Sequence, residues 1–319
     1  MTQPFVRPDV EAFLQAQAVS GTPSLHELPV AIAREAFGAI SAMTDAPAID
    51  IAAVRDLWCD GPGGPIPLRL YDCQRDRSRA GPLIVFFHGG GFVLGGLESH
   101  DSFCRFLADC TDLPVLAVDY RLAPEHPFPG FVDDAECVAR WVAGQPAALG
   151  LEITGLVTCG DSAGGHLAIC VAQQLAARPA GLPLLAQWVF YPFVGGGNDW
   201  DSVRNFSEGY VVTRPMMDWF DGHCGTPYDD PRYALLLGPV PAVPLMIQTT
   251  SLDPLQDQGI AYARLAEAHG ARVVHLEAAG MVHGFVTMRG ALPSTFGDLE
   301  DAIAAGLSLL DMPQARDRP

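Results

Sequence analysis

The chain has 319 residues, 49% of them apolar, and carries 37 acidic against 19 basic side chains, for a formal net charge of −18. All 19 basic residues are Arg and none is Lys, which excludes a P-loop, a pyridoxal Schiff base, a Ser-Lys dyad and a kinase-type ATP clamp. A chain this acidic repels phosphate backbones and anionic lipid, so the expected partner is a small molecule, with neither nucleic acid nor stable membrane association.

Residues 1–50 carry helical periodicity, first in Val10, Phe13 and Leu14, then in Ile32, Ala33, Ala36, Phe37 and Ile40, with no strand pattern before Pro47. Pro4, Arg7, Pro8, Asp9 and Glu11 interrupt the apolar run that a signal peptide needs, and no window of 18 apolar residues follows; a cytoplasmic location is expected. From residue 83 onward, short runs rich in Val, Ile, Leu and aromatics alternate with longer helical patterns. Buried strands are predicted at 83–87, 115–118, 156–159, 184–191, 245–250 and 273–276. Helices are predicted at 99–109, 131–142, 163–177, 256–268 and 294–310. This alternation implies an α/β fold, a mostly parallel central sheet with helices on both faces.

Residues 195–241 break the rhythm with a Gly- and Pro-rich, aromatic insertion that includes Trp200, Phe206, Tyr210, Trp219, Phe220, Tyr228 and Tyr233. Interruptions of this length serve as lids or binding elements. The chain thus divides into 1–50, a first core segment 51–194, the insertion 195–241 and a second core segment 242–319. The eight cysteines form no C-x-x-C pair and several lie in apolar runs, which suits buried thiols in a reducing compartment.

The chemistry-bearing signal is Gly160-Asp161-Ser162-Ala163-Gly164, at the junction of a predicted strand and a predicted helix. Glycines two before and two after a serine permit a tight strand-to-helix turn that lifts the hydroxyl above the sheet and faces it with a helix N-terminus. Upstream, the strand at 83–87 runs into His88-Gly89-Gly90-Gly91-Phe92. Such glycines leave backbone N–H groups free to point into a cavity, where they and the N–H of Ala163, the residue after the serine, would form an oxyanion hole. A serine hydroxyl needs a base and an orienting acid. Asp253 and His283 each follow a late predicted strand, the positions where this architecture carries them. His88 reads as a brace of the glycine loop, Asp257 as a helix cap, and His166, His269 and His275 as core or surface residues. His223-Cys224 lacks the companions of a zinc site and no H-E-x-x-H occurs, so neither metal nor cofactor is expected.

With these pieces placed, the chain resembles the bacterial hormone-sensitive-lipase family of α/β-hydrolases, in the branch whose nucleophile motif is GDSAG. The matching stretches are HGGGF from His88, DYRLAPEHPFP from Asp119, GDSAGG from Gly160, DPLQD from Asp253 and HGF from His283. The resemblance implies Ser162 as nucleophile, His283 as general base and acid, Asp253 as its partner, and Gly90, Gly91 and Ala163 as oxyanion donors. It also implies a cap built from 1–50 and 195–241 over an α/β-hydrolase core, and a homodimer paired through the strand at 273–276. Arg121 and Glu125, in the DYRLAPEHPFP stretch, are expected to brace the glycine loop through charge-assisted hydrogen bonds. Gln258 departs from the pattern, which commonly has Glu there. The implied reaction is hydrolysis of short- to medium-chain acyl esters through an acyl-enzyme. The same triad would also serve an acyltransferase or amidase, and a silent binding protein is the remaining reading. Phe92, Trp200, Phe206, Tyr210 and Trp219 are the candidates to line the pocket, though the insertion's aromatics equally suit its own core.

Overall fold

The computed structural model describes residues 4–195, 197, 199–225 and 227–310; the outermost parts of the segments 1–50 and 242–319, residues 1–3 and 311–319, lie outside them. Among the described residues the chain forms one eight-stranded sheet in the order β1-β2-β4-β3-β5-β6-β7-β8. The strands are β1 (Ala53–Gly61), β2 (Gly64–Asp72), β3 (Gly81–Phe87), β4 (Val115–Val118), β5 (Ile153–Asp161), β6 (Leu184–Phe190), β7 (Leu245–Leu252) and β8 (Val273–Val282). From β4 to β8 every pairing is parallel. The β1–β2 hairpin and the β2–β4 pairing are antiparallel. The sequence reading places no strand in that hairpin. Its alternating charges, Arg55 and Asp56 against Arg69, and its Pro65 and Pro67 mark a half-exposed edge rather than a buried apolar run.

Alternate residues of the central strands feed two cores. Leu83, Val85 and Phe87 of β3 pack with α4 (Gly130–Ala143), α5 (Ala163–Ala177) and α8 (Gln256–Ala268). Ile84 and Phe86 pack on the other face with α3 (Leu97–Thr111) and α9 (Thr295–Leu309). Burial on both faces explains why these strands read as continuous apolar runs.

The N-terminal helices α1 (Pro8–Val19) and α2 (Val30–Thr44) are tied to distant parts of the chain. The Arg7 guanidinium forks onto Asp298 of α9, with one bond of 2.9 Å, and the Arg7 N–H donates to Gly280 O. Among the described residues the insertion holds the α-helices α6 (Asp201–Phe206) and α7 (Arg214–Cys224). The turn at Leu25–Glu27 packs against α7, and α6 packs on α8. The two segments outside the α/β rhythm thus meet each other.

Candidate active site

β5 ends at Asp161 and α5 begins at Ala163, leaving Ser162 alone at the turn with φ 53° and ψ −117°. A non-glycine residue held there costs about 1–3 kcal/mol and needs neighbours that fix it. Its backbone supplies them: Ser162 N–H donates to Phe190 O, and Ser162 O accepts from Phe193 N–H and His166 N–H. The flanking glycines are steric requirements. A Cβ at Gly160 would lie 2.6 Å from Phe87 O, and one at Gly164 would overlap Phe87 O and sit 2.7 Å from His88 O. Both obstacles are backbone that cannot swing aside. Gly164→Ala is therefore expected to destabilise the protein by about 3 kcal/mol, read as a lowered urea midpoint at unchanged slope. An unchanged midpoint would contradict this packing.

The Ser162 hydroxyl donates to His283 Nε2 at 2.7 Å, and His283 Nδ1–H donates to Asp253 Oδ2 at 2.7 Å. Asp253 is fully buried just beyond β7, where Oδ2 also accepts from Thr250 Oγ1–H at 2.9 Å and Oδ1 from Leu255 N–H at 2.8 Å. His283 follows β8 directly and is 6% exposed. Three residues up to 121 positions apart thus meet at the carboxyl ends of the strands, where open α/β sheets place their sites.

The glycine loop follows β3. Gly90, Gly91 and Phe92 take φ of 117°, 61° and 62° in succession, a path that glycine permits at the first two positions. Among the described residues none accepts a hydrogen bond from the Gly90 or Gly91 N–H, and Ala163, first in α5, has an N–H with no acceptor inside the helix. Burial, reinforced by nearby His100, lowers the His88 pKa to about 3. The ring is therefore neutral; it lies beside Gly89 O and stacks on Tyr120, whose hydroxyl donates to His88 O.

Two expectations need correction. Arg121 does not brace the loop; its guanidinium forks onto Asp134 of α4 with two bonds of 2.8 Å, because that fully buried carboxylate requires a cation. Glu125 reaches the loop only through Arg34 of α2, which binds both Glu125 oxygens and donates from Nε to Val93 O and from Nη2 to Ala123 O. Phe92 is 3% exposed. Its ring stacks on Phe131 at 4.4 Å and meets His166, Phe193 and Tyr233, so it anchors the loop in the core.

Of the other aromatic candidates, Phe206 and Tyr210 pack against the core on the α3 and α9 face and Trp219 against the opposite core. Trp200 packs with Val203, Met217 and Leu255; Phe206 lies edge-on to Tyr210; Trp219 lies edge-on to Phe220 and His223. The ring that meets the glycine loop is Phe220, about 2.5 Å from where a Gly91 Cβ would stand. Asp257 accepts from Ser202 N–H and ties α6 to α8, while buried Gln258 accepts from Val194 N–H. His166 is buried, its pKa lowered to about 4 by that burial, with Nε2 on Arg232 O. Two surface clefts that share Arg77, Ser78, Gly150 and Leu151 open where β3 and β5 begin, at the opposite end of the strands from Ser162. Among the described residues no group of three His, Cys, Asp or Glu is placed to hold a metal ion.

Sequence reasoning passed over the residue beside the nucleophile. Asp161 Oδ1 accepts from Gly89 N–H at 2.8 Å and lies 3.2 Å from His100 Nε2; Oδ2 accepts from Tyr191 OH at 3.4 Å. Burial works to raise the Asp161 pKa, but the His100 partner and the Gly89 N–H outweigh it and hold the carboxyl below its ordinary range. Its place inside the GDSAG motif was the available signal.

A family model described as an alpha/beta hydrolase fold matches residues 84–287. The chain is 37% identical over 295 residues to ethyl acetate hydrolase of Pseudomonas putida, covering 89% of this chain and 92% of that one. It is 38% identical over 258 residues to esterase LipI of Mycobacterium tuberculosis, covering 76% and 77%. The hyperthermophilic esterase of the archaeon Pyrobaculum calidifontis superposes with a TM-score of 0.88 at 33% identity, covering 96% of this chain and 99% of that one.

Proposed function

The chain belongs to the hormone-sensitive-lipase-like family of α/β-hydrolase carboxylesterases, and on that footing we propose that it hydrolyses short- to medium-chain esters through an acyl-enzyme on Ser162. The observation that carries the assignment is the unbroken chain from Ser162 Oγ through His283 to buried Asp253, both links 2.7 Å long. Ser162 Oγ attacks the ester carbonyl while its proton passes to His283 Nε2. Asp253 keeps the other proton on Nδ1 and stabilises the imidazolium. The carbonyl oxygen, now negative, is held by the N–H groups of Gly90, Gly91 and Ala163. His283 returns its proton to the leaving alcohol, and water repeats the cycle on the acyl-enzyme.

In this reading residues 1–50 and 195–241 form a cap over the core segments 51–194 and 242–319. The support is the packing of the Leu25–Glu27 turn on α7 and of Phe220 on the glycine loop. A site beneath a cap favours compact acyl groups over an interfacial lipid, and the ethyl acetate hydrolase among its relatives points the same way. Among p-nitrophenyl esters, kcat/KM is expected to peak between acetate and octanoate; a maximum at palmitate or at emulsified triglyceride would overturn the preference.

No helix among the described residues is long and apolar enough to cross a membrane. The eight unpaired cysteines suit a reducing, cytoplasmic setting, and the net charge of −18 weighs against a nucleic-acid partner. β8 ends one side of the sheet, and its edge is where a second copy would pair in a homodimer.

A further inference from the structure

We propose that Asp161 is a positioning residue for the ester hydrolysis, holding the glycine loop, the nucleophile turn and the base loop in one fixed relation. The proposal rests on the reading of Ser162, His283 and the loop N–H groups given above. β3 and β5 are neighbours, with Phe87 opposite Gly160, so the chain just past each strand end lies side by side. There one carboxylate meets three donors from three segments: the Gly89 N–H of the loop after β3, His100 Nε2 of α3, and the Tyr191 hydroxyl just past β6.

The third partner extends the connection to the base. Tyr191 OH accepts from Val286 N–H, three residues past His283, and the Tyr191 ring lies 4.7 Å from the imidazole. Tyr191 itself has φ 36°, a conformation that persists only where neighbours over-determine it. Turning the Gly89 N–H inward to Asp161 fixes the His88–Gly89 peptide, next to the two that carry the Gly90 and Gly91 N–H groups. An ionised carboxylate only accepts hydrogen bonds, so it matches all three donors. Asparagine would keep the Gly89 N–H and His100 contacts through its amide oxygen but would turn a donor toward the Tyr191 hydroxyl.

The test compares Asp161→Asn, Asp161→Ala and Ser162→Ala with wild type, measuring kcat and KM on p-nitrophenyl butyrate, phosphonate labelling stoichiometry and the thermal midpoint. Per labelled site, kcat is expected to fall about tenfold in Asp161→Asn and about a hundredfold in Asp161→Ala, with KM within about threefold of wild type in both. That order, with the amide recovering part of the loss, marks misplaced transition-state donors. A purely structural ion pair would lower the thermal midpoint and leave kcat per labelled site at the wild-type value, which overturns the proposal. Should Asp161→Ala fail to fold, Asp161→Asn decides alone, an unchanged kcat counting against. Retained turnover in Ser162→Ala would sink the nucleophile reading itself, whereas an inactive Ser162→Ala beside a normal Asp161→Asn sinks only the positioning role.

Discussion

Replacing Ser162 with alanine is expected to lower kcat on p-nitrophenyl butyrate by about a millionfold and to abolish labelling by an organophosphonate. The hydroxyl is the atom that His283 Nε2 faces at 2.7 Å, and among the described residues no other hydroxyl bonds to that nitrogen. The backbone at this position is held by Phe190 O, Phe193 N–H and His166 N–H, none of which involves the side chain. The variant should therefore keep its fold, and an unchanged circular dichroism spectrum with an unchanged urea midpoint would show that the loss is chemical. Turnover within tenfold of wild type would remove Ser162 from the mechanism.

Asp253→Asn should cost about ten-thousandfold in kcat with little change in KM, through the tautomer of His283. Leu255 N–H needs an acceptor where Asp253 Oδ1 now sits, so the amide oxygen of asparagine takes that place and its NH2 takes the place of Oδ2. There it faces His283 Nδ1. An NH2 donor requires an acceptor nitrogen, which moves the ring proton to Nε2 and leaves Ser162 with no base. Thr250 Oγ1 rotates to accept instead of donate, so the buried site remains satisfied. Nuclear magnetic resonance of the imidazole protons would show the exchange, and a variant with normal kcat would contradict the assignment of Asp253.

The central α/β rhythm was readable because strands buried on both faces leave unbroken apolar runs, as at Val115–Val118, where all four residues are buried. The β1–β2 hairpin was not, since one face meets water and Arg55, Asp56 and Arg69 dilute the apolar signal. Within the site, local chemistry was legible: the turn at Ser162 needs Gly160 and Gly164 for reasons of space that leave a motif. The supports of the glycine loop were illegible because they arrive from far along the chain. Arg34 stands 59 residues before Val93, and nothing adjacent to it indicates that partner. Arg121 illustrates the converse, a charged residue inside a recognisable stretch whose partner is decided by the burial of Asp134. Aromatic composition marked the insertion correctly as unusual but did not separate a ring facing the loop, Phe220, from rings packed on their own neighbours, such as Trp200 and Phe206.

The clasp between Arg7 and Asp298 joins residues 291 positions apart, and this bears on how the molecule is born. On the ribosome α1 emerges long before the strand and helix that seat it, β8 and α9. Until β8 and α9 emerge, Val10, Phe13 and Leu14 therefore lack the surface that covers them, and contacts of such long range slow the final closure. Ser162 likewise waits 121 residues for His283. A nascent chain that stops short of His283 carries the hydroxyl without its base, so hydrolytic power cannot arise before that histidine is synthesised.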